Sequence, residues 1–160
     1  MRAVWILGVP VVLLAHPLSR LSAQRATGPQ ADSARAFAVR MVSLLRARDA
    51  AAVVALYGDT THYVHVENGV VIPWSQLSQM MRTYLATATS NPLRIIGEPG
   101  VTVIDANTAV VYVTHHFDPL EGRPAHDGVW TGVLHRDGGA WKVVHSHSSD
   151  RSPSEPAQRR

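Results

Sequence analysis

The strongest constraint in this sequence lies in its last third, where two long runs rich in β-branched and aromatic residues, 126–136 and 140–148, are separated only by Asp137-Gly138-Gly139. An Asp-Gly-Gly connector between alternating apolar runs predicts an antiparallel hairpin, because glycine supplies the backbone conformations a tight reversal needs. A three-residue turn there pairs Arg136 with Ala140, which sets Thr131 opposite His145 and Val129 opposite His147. A one-residue bulge would instead bring in Trp130 and Gly128.

Upstream, the pattern changes from helical to extended. Asp32-Ser33 can cap a helix with apolar residues Ala34, Phe37, Ala38, Met41, Leu44 and Leu45 at three- and four-residue intervals. Asp49 can cap a second, short helix over 50–57 that ends at Gly58. A strand over 61–67 then meets Asn68-Gly69, the strongest two-residue hairpin signal, and returns over 70–72 until Pro73 breaks it. A third helix is expected over 75–88, with Leu77, Met81, Tyr84, Leu85 and Ala88 on one face, closed by Asn91-Pro92. Strands follow over 93–98, 101–104 and 108–117, then a loop over 118–124. Helices followed by mostly antiparallel strands give an α+β fold, a curved sheet wrapped on the N-terminal helices with a cavity at its open end.

The ends of the chain have a different character. Residues 1–23 combine Arg2, an apolar run over 3–15 and a small-residue end at Leu21-Ser22-Ala23, the layout of a cleavable secretory leader too short to remain as a membrane span. Export to the periplasm or outside the cell, with no stable anchor after cleavage, is the expectation. Residues 24–30 read as a linker, 31–148 as the folded domain, and 149–160, rich in Ser, Pro and Arg, as a disordered tail. With no cysteine there are no disulfides, thiolate metal sites or cysteine nucleophile. Removing Arg2 and Arg20 with the leader lowers the formal charge from +3 to +1, and the basic residues are dispersed, so nucleic acid is not an expected partner.

Tyr63-Val64-His65-Val66-Glu67-Asn68-Gly69-Val70 ahead of a helix, together with the ending Arg136-Asp137-Gly138-Gly139-Ala140-Trp141-Lys142-Val143-Val144-His145-Ser146-His147-Ser148, resembles the SnoaL-like branch of the nuclear transport factor 2-like superfamily. The resemblance covers 31–148. It implies a cone-shaped α+β barrel of the cystatin-like kind, commonly dimeric through the outer sheet face, with an apolar pocket. It does not imply a reaction, since the superfamily holds isomerases, cyclases, epoxide hydrolases, dehydratases and non-catalytic modules. Its isomerases and cyclases use a pocket Asp, where the first strand here offers His65 and Glu67.

Nine histidines, eight of them beyond residue 23, are the chemical signal. Strand alternation puts Trp141, Val143, His145 and His147 on one face of the last strand and Lys142, Val144, Ser146 and Ser148 on the other. His145, sharing the core face with Trp141 and Val143, and His65, favoured by the resemblance, are the candidate acid–base residues, because a neutral imidazole can move a proton near neutral pH. The alternative for both is a satisfied structural histidine. Tyr63, Glu67, Trp74, His116, Val129, Trp130, Thr131 and His147 are the candidate ligand-binding residues, although Tyr63, His65 and Glu67 equally suit a solvated face opposite Val64 and Val66. His115 and His116 must point to opposite faces, His126 suits a rim, and His62 and His135 suit the surface. No cofactor is expected.

Three functions fit: a pocket binding a small lipophilic compound, with isomerase-, cyclase- or dehydratase-like proton transfer; a non-catalytic homodimeric interaction module; and a zinc or copper site on His145-x-His147 completed by His65, His116 or Glu67. No Gly-x-Ser-x-Gly elbow supports nucleophilic hydrolysis.

Overall fold

The computed structural model describes residues 27–58, 60–87, 93–119, 124–136 and 139–151. The leader, most of the linker, Asn91-Pro92, the centre of the 118–124 loop, the Asp137-Gly138 pair and residues 152–160 lie outside the described residues.

Helix α1 (Pro29–Ala47) starts earlier than its Asp32-Ser33 signal. Gly28 occupies the N-cap with φ 108° and Pro29 opens the first turn, where its missing N–H costs nothing. Asp32 sits inside that turn and pairs with Arg35 at 2.9 Å, while Ser33 accepts a hydrogen bond from the Trp141 indole at 3.0 Å. The helix buries Ala31, Ala34, Phe37, Ala38, Met41 and Val42. Helix α2 (Ala50–Val54) is capped as expected, the Asp49 carboxylate accepting from the Ala52 N–H at 2.9 Å. Helix α3 (Trp74–Thr87) buries Leu77 and Leu85.

The strands are β1 (Val64–Glu67), β2 (Val70–Pro73), β3 (Leu93–Ile95), β4 (Gly100–Val103), β5 (Thr108–Phe117), β6 (His126–His135) and β7 (Lys142–Arg151). They form one curved, unclosed seven-stranded sheet in the order β2-β1-β7-β6-β5-β3, with β4 also paired to β5. All pairings are antiparallel except β1 with β7. The Asn68-Gly69 turn adopts φ 49° and 83°, the left-handed pair that a two-residue hairpin requires. Helix α1 packs on β4 and β5, and α3 on β1 and β2, enclosing a core that includes Val111, Val113, Leu134, Trp141 and Val143.

Two sequence expectations fail on β7. The strand continues through Ser149, Asp150 and Arg151, because the sheet holds them on both sides: β6 pairs with all three, and the Asn68 side chain accepts the Asp150 N–H at 2.9 Å. The hairpin register also differs. His135 pairs with Lys142, and Arg136 turns away, its guanidinium donating to the Ala106 carbonyl and lying 4.6 Å over the Trp141 ring. Leu134 then pairs with Val143 but Val133 with His145, leaving Val144 as an extra residue. At this bulge β7 changes its other neighbour. Val143 exchanges backbone hydrogen bonds with Leu56 and Gly58, each 2.9 Å, whereas Ser146 onward pairs with β1.

Candidate functional site

The bulge decides which side chains reach the interior. Before it, Trp141 and Val143 face the helices; after it, the inward positions are Ser146, Ser148 and Asp150. His145 and His147 point outward and are exposed. A single unpaired residue thus reverses the face assignment that strict alternation gives.

Register carries these positions across the sheet. One inner row runs Glu67, Ser148, Trp130, Val113; the next runs His65, Ser146, Gly132, Val111; a third runs Asp150, Gly128, His115, Ile95. The two glycines make room. The Trp130 ring folds over Gly132, where a Cβ would lie 2.2 Å from it, and a Cβ on Gly128 would lie 2.4 Å from His115 Nε2 and 2.5 Å from Asp150 Oδ1. Glycine inside a strand marks such close approach.

The rows border a cavity of about 280 Å³, close to the lower end of the roughly 300–1,000 Å³ of small-molecule sites. Its floor and helical wall are mainly apolar, with Met41, Val42 and Leu45 from α1, Val53 from α2, and Leu77 and Met81 beside Tyr84 from α3. Polar groups are concentrated on the sheet side: His65, Glu67, His115, Ser148 and Asp150, with Asp118 and His126 at the rim.

Two histidine assemblies stand there. His65, 5% exposed, has Nδ1 2.7 Å from Ser146 Oγ, and that hydroxyl lies 2.5 Å from Tyr63 OH. On its other side Nε2 lies 3.3 Å from Ser148 Oγ and 3.9 Å from the Glu67 carboxylate. The acceptors on the Nε2 side favour the proton there, so Ser146 donates to Nδ1 and receives from Tyr63. Burial is the main cause holding the His65 pKa below its ordinary value, helped by nearby His147 and His145 and opposed by a hydrogen bond with the Ser146 backbone. Burial likewise pushes the Tyr63 phenol up to about 12 and the Tyr57 phenol higher, so both are neutral donors. Tyr57, Tyr63 and Trp74 brace this assembly with ring centroids 4.9–5.4 Å apart.

The second assembly is His115 with Asp150. His115 is 6% exposed, its Nε2 is 3.4 Å from Asp150 Oδ1 across the Gly128 gap, and Phe117 packs edge-on to its ring at 5.2 Å. A carboxylate in this position orients an imidazole, and an imidazole so held can take up and return a proton in general acid–base work.

Of the residues singled out from sequence, His65, Glu67 and Trp130 line the cavity. Tyr63 and Trp74 lie behind the wall, supporting His65 through Ser146 and ring packing. Val129, Thr131, His145 and His147 do not join them: Thr131 faces His147 and Val133 faces His145 on the outer surface. His116 is also outside the cavity, its Nδ1 2.7 Å from Asp127, whose carboxyl that bond holds below the usual range. His115 is therefore the inward member of the pair, His126 is at the rim, and His62 and His135 are exposed. For a metal, His145 and His147 share an outer face while His65 and Glu67 lie on the inner one, and among the described residues no three potential ligands converge.

Sequence reasoning missed Asp150, Ser146 and Ser148. Gly128 and Gly132 were the available signal, two small residues in a long strand against which something had to fit.

The SnoaL-like domain family model matches residues 34–153. No curated protein matches the chain in sequence. Among solved structures, a protein with a cystatin-like fold from Caulobacter vibrioides superposes with TM-score 0.64 at 16% identity, covering 79% of this chain and 92% of that one. An NTF-2-like protein from Pseudomonas aeruginosa gives 0.63 at 18%, covering 75% and 99%. A ketosteroid isomerase-like protein from Erwinia carotovora atroseptica gives 0.60 at 18%, covering 76% and 96%. At such identities the likeness is one of fold. The family match extends over the helices, the sheet and the cavity alike, and the chain, with the NTF2-like fold of these neighbours, belongs to the SnoaL-like domain family.

Proposed function

We propose that this protein takes a small amphipathic compound into the sheet cavity and transfers a proton on it, as an isomerase or dehydratase does. The observation that carries this reading is the His115–Asp150 pair, set 3.4 Å apart on the polar sheet side of a cavity whose helical side is mainly apolar. His65 is a second acid–base group on the same wall, kept neutral by burial and oriented by Ser146. His65 was expected from sequence, but His115 takes the part that His145 was expected to play. The ketosteroid isomerase-like neighbour supports a reaction of this class on this fold.

The leader-like residues 1–23 support export. A homodimer through the outer sheet face is supported by the exposure there of Val71 at 64%, Tyr112 at 51% and Val129 at 37%.

The test uses 4-phenyl-2-butanone in D2O, with exchange of its α-hydrogens followed by proton NMR. The wild-type chain should exchange them faster than buffer, and His115→Gln or Asp150→Asn should slow that excess by roughly 10²-fold or more. An excess that neither variant changes, or no excess at all, would contradict the proposal.

A further inference from the structure

The charge on the cavity wall points to a particular head group. Three carboxylates, Glu67, Asp118 and Asp150, reach the cavity, and among the described lining residues there is no lysine or arginine. Asp118 is ion-paired with Arg94, which stands outside the lining, and Asp150 is engaged with His115. Glu67 differs from both. Its carboxylate is about one-third exposed, faces the cavity, and lies 3.9 Å from an imidazole that burial keeps neutral. A carboxylate only accepts hydrogen bonds, so an incoming group gains from it by bringing donors and, better, positive charge. The surrounding wall reinforces this preference, since Tyr57, Phe117 and Trp130 present aromatic rings to the same space, and aromatic faces attract cations. An anionic head would meet carboxylates with no fixed cation among the described lining residues to hold it.

We infer that the cavity selects a compound with an apolar body and a protonated amine, seated with the amine against Glu67 and the body among the α1 and α3 side chains. The inference rests on the proposal that the cavity binds a small molecule at all.

Three probes with one body and different heads separate the two ideas: 4-phenylbutylamine, 4-phenyl-1-butanol and 4-phenylbutyrate, titrated calorimetrically into the full chain at pH 7.5. The amine should bind at least about ten-fold more tightly than the alcohol, a difference of about 1.4 kcal/mol, and the carboxylate should show no saturable binding. In Glu67→Gln the Kd of the amine should come within about two-fold of that of the alcohol measured on the same variant, as expected when the charge-assisted contact is lost. Equal or tighter binding of the alcohol or carboxylate to the wild type would overturn the amine assignment while leaving a small-molecule cavity standing. An amine preference that persists in Glu67→Gln would overturn the role of Glu67. Failure of all three probes to bind would remove both the inference and the reading beneath it.

Discussion

The two faces of β7 carry similar side chains and do opposite things. On the inner face Ser146, Ser148 and Asp150 hold the histidines of neighbouring strands; on the outer face, one residue away in each case, His145 and His147 stand exposed. Nothing in the residue types distinguishes them, since serine and histidine are equally at home in a pocket or on a surface. The difference comes from backbone bookkeeping at one point, the extra Val144. A histidine excess therefore locates a site only after the register of its strand is known.

Length changes in β7 should break this comparison most severely. Deleting Val144 restores regular alternation between Val143 and Ser146 and keeps both faces, so it should cost only about 1 kcal/mol of packing. Deleting His147 instead sends Ser148 and Asp150 to the outer face and should cost roughly 3 kcal/mol or more. Urea denaturation of the two deletion variants makes the comparison, and equal losses would mean that Val144 does not set the faces.

Ser146→Ala removes the hydroxyl shared by Tyr63 and His65, leaving two buried polar groups short of a partner. A loss of about 1–3 kcal/mol is expected in the same assay, whereas His145→Ala should stay within about 0.5 kcal/mol.

A smaller effect should appear with pH. Because the folded-state pKa of His65 is depressed, the folded protein resists taking up the proton that the unfolded chain accepts near 6.5. Its contribution to stability is complete above about pH 6.5 and is lost as pH falls below that value through the folded-state pKa. Thermal melts between pH 8 and 5 should show the wild type losing stability more steeply than His65→Gln; parallel curves would count against a buried, neutral His65. The smallest expected change is electrostatic. His147→Ala removes a neighbour that helps depress His65, so the His65 pKa, followed by NMR, should rise.

Much of the fold was legible because its signals are local. The Asn68-Gly69 turn, the Asp49 cap and the apolar stripe of α1 each require only nearby residues to act. The site was less legible because it depends on pairings distant in sequence. His65 and Glu67 could be named from β1 alone, and Trp130 from β6. Asp150 lay hidden in a polar Ser-Asp-Arg stretch that resembles a tail, and it is β6 and the Asn68 side chain, distant in sequence, that hold its backbone in the sheet. The choice between His115 and His116 likewise required the register of β5 against β6, in which His115 meets Gly128 and His116 meets Asp127.

The contrast between faces is most directly tested by carbethoxylation of the full chain with a limiting amount of diethyl pyrocarbonate at pH 7, followed by peptide mass spectrometry. His145 and His147 should be modified early, while His65 and His115, 5% and 6% exposed, should be modified late. Early modification of His65 and His115 with protection of His145 and His147 would contradict the account, because it would place the pocket on the other face of β7.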